Sequence, residues 1–134
     1  IPVGTGRQMK EGQELAFLTI GPIGVKVQQV IEKLIQQGHN PALFDMRFLK
    51  PLDTKLLHHV FQNFSKIITV EDGCITGGLG SAAIEFMCDH GYNAKIKRLG
   101  IPDRFIEHGT QTELYHECGF DKQGIYDSAL KLLE

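Results

Sequence analysis

The chain has 134 residues, of which 42% are hydrophobic and 22% charged, with a formal net charge of −2. That length and mixture suit one domain around an ordinary buried core. The small net charge leaves no electrostatic footprint for nucleic acid or an anionic membrane, and no apolar run approaches the about 20 residues of a membrane-spanning helix.

Residues 1–14 are polar, carry Gly4, Gly6 and Gly12, and read as an entry segment with one short edge strand near Arg7–Met9. Leu15–Ile20 (LAFLTI) is nearly continuous in apolar side chains, the pattern of a strand buried on both faces of a parallel sheet. Gly21-Pro22 punctuates its end. Val27, Val30, Ile31, Leu34 and Ile35 then recur at helical spacing and predict one apolar stripe. Gly38 sits where a helix-ending glycine belongs, with Pro41 shortly beyond. Ala42–Phe48 (ALFDMRF) predicts the next strand. Asp53 is a good N-cap for a second helix, whose apolar face is Leu56, Leu57, Val60, Phe61 and Phe64. Lys66–Glu71 (KIITVE) predicts a third buried strand. The glycine-rich turn Asp72–Gly80 leads into a helix with Leu79, Ala82, Ala83, Phe86 and Met87 in register, closed at Gly91. Ala94–Ile101 predicts a fourth strand. Thr110 and Glu113 suggest a capping box for a short helix ending at Gly119. Asp121 opens a last helix with Ile125, Ala129, Leu130 and Leu133 facing inward.

Strands alternating with helices of this length predict an α/β domain: three layers, doubly wound, with a mainly parallel sheet and right-handed crossovers. The two closing helices make the last strand an edge.

Ligands of such sheets sit beyond the C-terminal ends of the strands, so four loops are candidates. Gly21-Pro22-Ile23-Gly24 has two glycines where a dinucleotide fingerprint needs three, and no phosphate-loop lysine, so it reads as a turn. Arg47–Asp53 is the second loop. Glu71–Ser81 (EDGCITGGLGS) could hold an anion on exposed backbone N–H groups, or simply let a helix pack closely. Glu71 and Asp72 point to opposite sides if the strand continues. Pro102–Gly109 holds Asp103, Arg104 and His108, which suit a shaped loop or a partner surface better than catalysis. Ser81 lies outside any G-x-S-x-G elbow. His58 and His59 diverge by about 100° on a helix and cannot clamp one ion, while His90 and His116 read as exposed helix-end residues. Basic residues are scattered; the one tight group is Lys95, Lys97 and Arg98, with both lysines on one solvated face. The three cysteines, Cys74, Cys88 and Cys118, lack metal or redox spacing and read as reduced thiols. The chain opens on Ile1-Pro2 without a methionine, so a longer polypeptide is expected. An inactive enzyme fragment and an autonomous binding or regulatory module both fit these residues.

Four stretches, in this order and spacing, carry a resemblance that runs nearly end to end: IPVGTGR (Ile1–Arg7), DMRFLKPLD (Asp45–Asp53), TVEDGCITGGLGS (Thr69–Ser81) and LGIPDRFIEHGTQTEL (Leu99–Leu114). Together they resemble the C-terminal domain of the 1-deoxy-D-xylulose-5-phosphate synthases, in the transketolase-like thiamine-diphosphate family. The second and third recur in transketolases and in pyruvate dehydrogenase β subunits; the first and fourth point to the synthases. The resemblance implies a single domain over 1–134, one antiparallel strand, and a parent transferase that joins pyruvate to glyceraldehyde 3-phosphate with loss of carbon dioxide. It implies thiamine diphosphate and magnesium in the parent, upstream domains and a homodimer as partners, and a bacterial cytosol or a plastid as compartment. The family's GDG…N magnesium loop is absent from these residues, so no catalytic, cofactor-binding or metal residue is carried onto this chain. Glu71–Ser81 and Arg104–His108 are expected to pack against other parts of the parent. The alternatives are the equivalent domain of a transketolase or 2-oxo-acid dehydrogenase β subunit, and a stand-alone module.

Overall fold

The apolar runs become the middle of a sheet because both of their faces need cover. The structure, a computed structural model, describes residues 2–74, 77–101 and 120–134. Its strands are β1 (Arg7–Lys10), β2 (Ala16–Ile20), β3 (Ala42–Asp45), β4 (Lys66–Cys74) and β5 (Lys95–Ile101). Its helices are α1 (Gly24–Gln36), α2 (Thr54–Asn63), α3 (Leu79–Asp89) and α4 (Lys122–Leu133). The strands lie in the order β1-β3-β2-β4-β5. β2, β3, β4 and β5 are parallel, and β1 joins β3 antiparallel. The doubly wound, mainly parallel sheet and its single antiparallel edge are as expected.

Alternation along β2 divides the core into two halves. Leu15 and Phe17 face α1 and α4, where Val27, Ile31, Leu34, Phe120 and Ile125 are buried. Ala16 and Leu18 face α2 and α3, with Phe44, Leu57, Val60 and Phe86. Three layers result, because each parallel strand needs a hydrophobic cover on both sides. Each fully buried Phe or Leu side chain contributes roughly 1.5–3 kcal/mol relative to exposure. Ile35 departs from the expected stripe and is 47% exposed. The helix is wide enough for four buried positions, and Ile35 falls past their edge.

Local polar contacts set the ends of the elements. Asp53 caps α2 by accepting from the Leu56 N–H at 3.0 Å, and its other oxygen accepts from the Gly6 N–H at 2.9 Å. One carboxylate thus starts a helix and holds the entry segment. Asp121 caps α4 by accepting from the Gly124 N–H at 2.8 Å. Gly38 and Gly91 take left-handed φ values of 89° and 71° just past α1 and α3, where glycine carries no Cβ penalty. The Lys10 ammonium donates to Glu11 O, Asn40 Oδ1 and Pro41 O at 2.7–2.8 Å, tying β1 to the start of β3. Burial pushes its pKa below the usual lysine value.

Two strand ends differ from the expected ones. β3 stops at Asp45 rather than Phe48, because the Asp45 Oδ1 accepts the Arg47 N–H at 3.0 Å and Arg47 adopts φ 59°. That side-chain turn competes with the ladder. β4 runs beyond Glu71 to Cys74, with a shift of register between Val70 and Cys74 where it pairs with β5. The expected short helix at 110–118, with Thr110, Glu113 and Cys118, lies outside the described residues.

Candidate functional site

The parallel strands bring their following loops to one end of the sheet, as in other doubly wound domains. Two of the four candidate loops are described throughout, and Glu71–Ser81 is described except for residues 75 and 76. The fourth, Pro102–Gly109, with Arg104 and His108, lies outside the described residues.

The loop after β4 is the most constructed of them. Glu71 is only 5% exposed. Its Oε1 accepts from the Leu79 N–H at 2.9 Å and its Oε2 from the Gly80 N–H at 3.1 Å. These are first-turn N–H groups of α3, where an anion is favoured by unpaired donors and by the helix dipole. The helix has no side-chain cap from Gly78 itself. The strand therefore supplies the carboxylate that the loop lacks. Asp72, one position on, is exposed, as alternation requires.

The glycines of this tract do separate jobs. Gly77 turns the chain at φ 75°. Gly80 is a close contact: a Cβ there would lie 2.7 Å from the Arg98 Cγ and Cδ and 2.8 Å from Thr69 Oγ1. Gly100 on β5 makes room for Glu71, since a Cβ would lie 3.1 Å from the Glu71 Cγ. Helix α3 thus rests on the sheet through glycine. Below it, the buried Thr69 Oγ1 has no hydrogen-bond partner. The Arg98 guanidinium donates to Ser81 Oγ at 3.3 Å, and the Gly77 N–H donates to the same oxygen at 3.2 Å.

The loop after β2 is simpler. Gly21 has φ 85°, and a Cβ on it would meet nothing within 4 Å. The N–H groups of Gly24 and Val25 donate to the carbonyls of Gly21 and Pro22, at 3.4 and 3.2 Å. No side chain caps α1. In the loop after β3 both Asp53 oxygens already accept backbone N–H groups. A cleft of about 650 Å³ opens beside it, lined by Gly4, Thr5, Thr54, Lys55 and His59 among others.

The histidines separate as expected and then regroup in a way the sequence did not suggest. His59 packs its ring edge on Phe44, with centroids 5.9 Å apart. His58 lies within an aromatic cluster between α2 and α3. Its Nδ1 is 2.6 Å from the Tyr92 hydroxyl, and its ring centroid is 4.6 Å from that of His90. His90 is exposed at the end of α3, and its ring also contacts Phe86. Among the described residues no group of three or more His, Cys, Asp or Glu side chains is arranged to hold a metal ion. No helix among them is long and apolar enough to cross a membrane.

Among the described residues, a mainly parallel sheet with one antiparallel edge and four helices makes a doubly wound α/β domain. The profile of the transketolase C-terminal domain matches residues 4–125, and the chain belongs to that family. It is 54% identical over 127 residues to the 1-deoxy-D-xylulose-5-phosphate synthase of Bacteroides fragilis, covering 94% of this chain and 20% of that protein. It is 50% identical over 127 residues to the synthase of Phocaeicola vulgatus, with the same coverage. The chain thus spans about one fifth of the length of the curated relatives it matches. Among solved structures, a split-gene transketolase described as an inactive beta4 tetramer superposes with a TM-score of 0.90 at 27% identity, over 99% of this chain and 43% of that one. The transketolase of Campylobacter jejuni shares the fold, with a TM-score of 0.66 at 17% identity, over 96% of this chain and 18% of that one.

Proposed function

We propose that this chain is the C-terminal domain of a thiamine-diphosphate-dependent 1-deoxy-D-xylulose-5-phosphate synthase, inactive alone. The observation that carries the reading is the identity of 50–54% to synthases over 94% of the chain. The split-gene transketolase, at 27%, is a more distant match. The parent would join pyruvate to glyceraldehyde 3-phosphate with loss of carbon dioxide, in a bacterial cytosol. Thiamine diphosphate, when bound, supplies the nucleophilic carbanion and the electron sink.

The glycine loop does not fit the diphosphate of that cofactor, because Glu71 already engages the α3 N–H groups that a phosphate would use. A second anion would face the Glu71 charge at short range. The cofactor and magnesium are therefore assigned to the rest of the parent, and no catalytic, cofactor-binding or metal residue is assigned to this chain. Its work is packing: 1–134 acts as one domain that braces the other domains and supports a homodimer, through Glu71–Ser81 and Arg104–His108.

Two measurements test the reading. The chain and the remaining part of the natural protein are produced separately and assayed, alone and mixed, for 1-deoxyxylulose 5-phosphate formation with thiamine diphosphate and magnesium. Product from this chain alone overturns the assignment, as does a natural protein that uses ketose donors in place of pyruvate. For the packing role, Arg104→Ala with His108→Ala in the intact enzyme is expected to weaken the dimer and lower activity. Unchanged dimer affinity and activity would remove that role.

A further inference from the structure

Among the described residues the sheet ends at β5, and the first half of that strand carries two lysines. Lys95 and Lys97 are both exposed and lie on the same side of the strand. Lys66 on β4 is the register partner of Lys95, a cross-strand position where like charges are unfavourable. Lys131, on the last turn of α4, joins Lys97 in one groove of about 500 Å³.

The groove is also lined by Ile96, Asp127, Ser128 and Leu132. Ile96 and Lys97 belong to opposite faces of β5, so the groove follows the outer edge of the strand. A smaller hollow of about 200 Å³ at Ser65, Lys66, Asn93, Ala94 and Lys95 lies at the start of the strand. Among the described residues Asp127 is the one carboxylate in either lining, and it accepts a hydrogen bond from Gln123 Nε2 at 2.8 Å. Among the described residues, four lysines from three elements thus line the two hollows, against one carboxylate.

An edge strand presents alternate N–H and C=O groups outward, and lysines on it discourage pairing with a second copy. A copy of this chain paired along β5 would bring Lys95 and Lys97 against lysines of its own kind. An acidic strand meets the opposite field, with Ile96 and Leu132 as apolar contacts beside the charges. Specificity here comes from repulsion of the like strand as much as from attraction of the unlike one.

We propose that the β5 edge is a docking site for an extended acidic segment of a partner protein, which adds to the sheet as a further strand. Main-chain hydrogen bonds would provide affinity, and Lys66, Lys95, Lys97 and Lys131 would select carboxylates at alternate positions.

The test uses the full-length protein that carries this chain. The probe is a blocked, fluorescently labelled ten-residue peptide of alternating Glu and Val; the control alternates Lys and Val. The acidic peptide is expected to bind and the basic one not. Raising the salt from about 50 to about 500 mM is expected to weaken binding about fivefold, because exposed charges are screened. Lys97→Glu with Lys131→Glu is expected to weaken it at least about tenfold, and to admit the basic peptide. Lys97→Gln with Lys131→Gln, which introduces no new charge, is expected to fall between. Amide exchange of Lys95–Ile101 is expected to slow when the acidic peptide is bound. No binding of the acidic peptide overturns the proposal. Equal binding by the charge-reversed protein, or binding without protection of β5, also overturns it. Displacement of the peptide by inorganic tripolyphosphate at equal concentration would mark a general polyanion surface and overturn the docked strand.

Discussion

The loops after β2 and β4 are both glycine-bearing turns from a parallel strand into a helix, yet they are built on different principles. After β2, Gly21 is needed for its φ of 85° alone, and the turn satisfies its own N–H groups. After β4, Gly80 is needed for space, and a buried carboxylate from the strand satisfies the helix. A run of glycines before a helix therefore does not by itself make an anion site. What matters is which group the open N–H donors find first, and in the β4 loop the chain brings its own anion.

Five substitutions would break or sharpen this contrast, each read by urea unfolding of the chain. Glu71→Ala is expected to cost the most, about 3 kcal/mol, because it strands two buried N–H groups and empties the space beside Gly100. A loss below about 1 kcal/mol would show that the carboxylate is dispensable and the donors open to another anion. Gly80→Ala is expected to cost about 2 kcal/mol, since the new methyl overlaps Thr69 and the Arg98 stem. Gly21→Ala, in open space, should cost only the left-handed backbone penalty of about 1 kcal/mol, and Gly21→Asn should recover part of it. If Gly21→Ala proves as costly as Gly80→Ala, the distinction between turning and spacing glycines fails. The smallest effect is a gain. Thr69→Val removes a buried hydroxyl without a partner and is expected to stabilise by up to about 1 kcal/mol.

Much of the fold was legible because its signals are local. LAFLTI and KIITVE are apolar on both faces, and such runs have few homes other than the middle of a covered sheet. Asp53 and Asp121 cap α2 and α4 through N–H groups three residues away, and Gly38 and Gly91 follow the ends of α1 and α3 within one turn. The strand ends were less legible. Phe48 continues an apolar pattern, but the Asp45 side chain takes the Arg47 N–H and turns the chain first. Ile35 continues the helical stripe but falls outside the contact that α1 makes with the sheet. At the candidate site, the open choice between an anion pocket and close helix packing turned on Glu71, whose partners are eight and nine residues away through a loop. The contact of His58 with Tyr92 spans 34 residues and leaves no spacing to recognise.

By itself the sequence determined what short-range physics controls: the order and kind of the elements, their caps, the two-sided burial of the central strands, and the motifs shared with the transketolase-type domains. The tertiary structure decided which distant groups meet. It placed Glu71 under α3, set Gly80 against Thr69 and Arg98, and gathered lysines from β4, β5 and α4 at one edge. Backbone periodicity is encoded by neighbouring residues, whereas these meetings depend on how whole helices rest on the sheet.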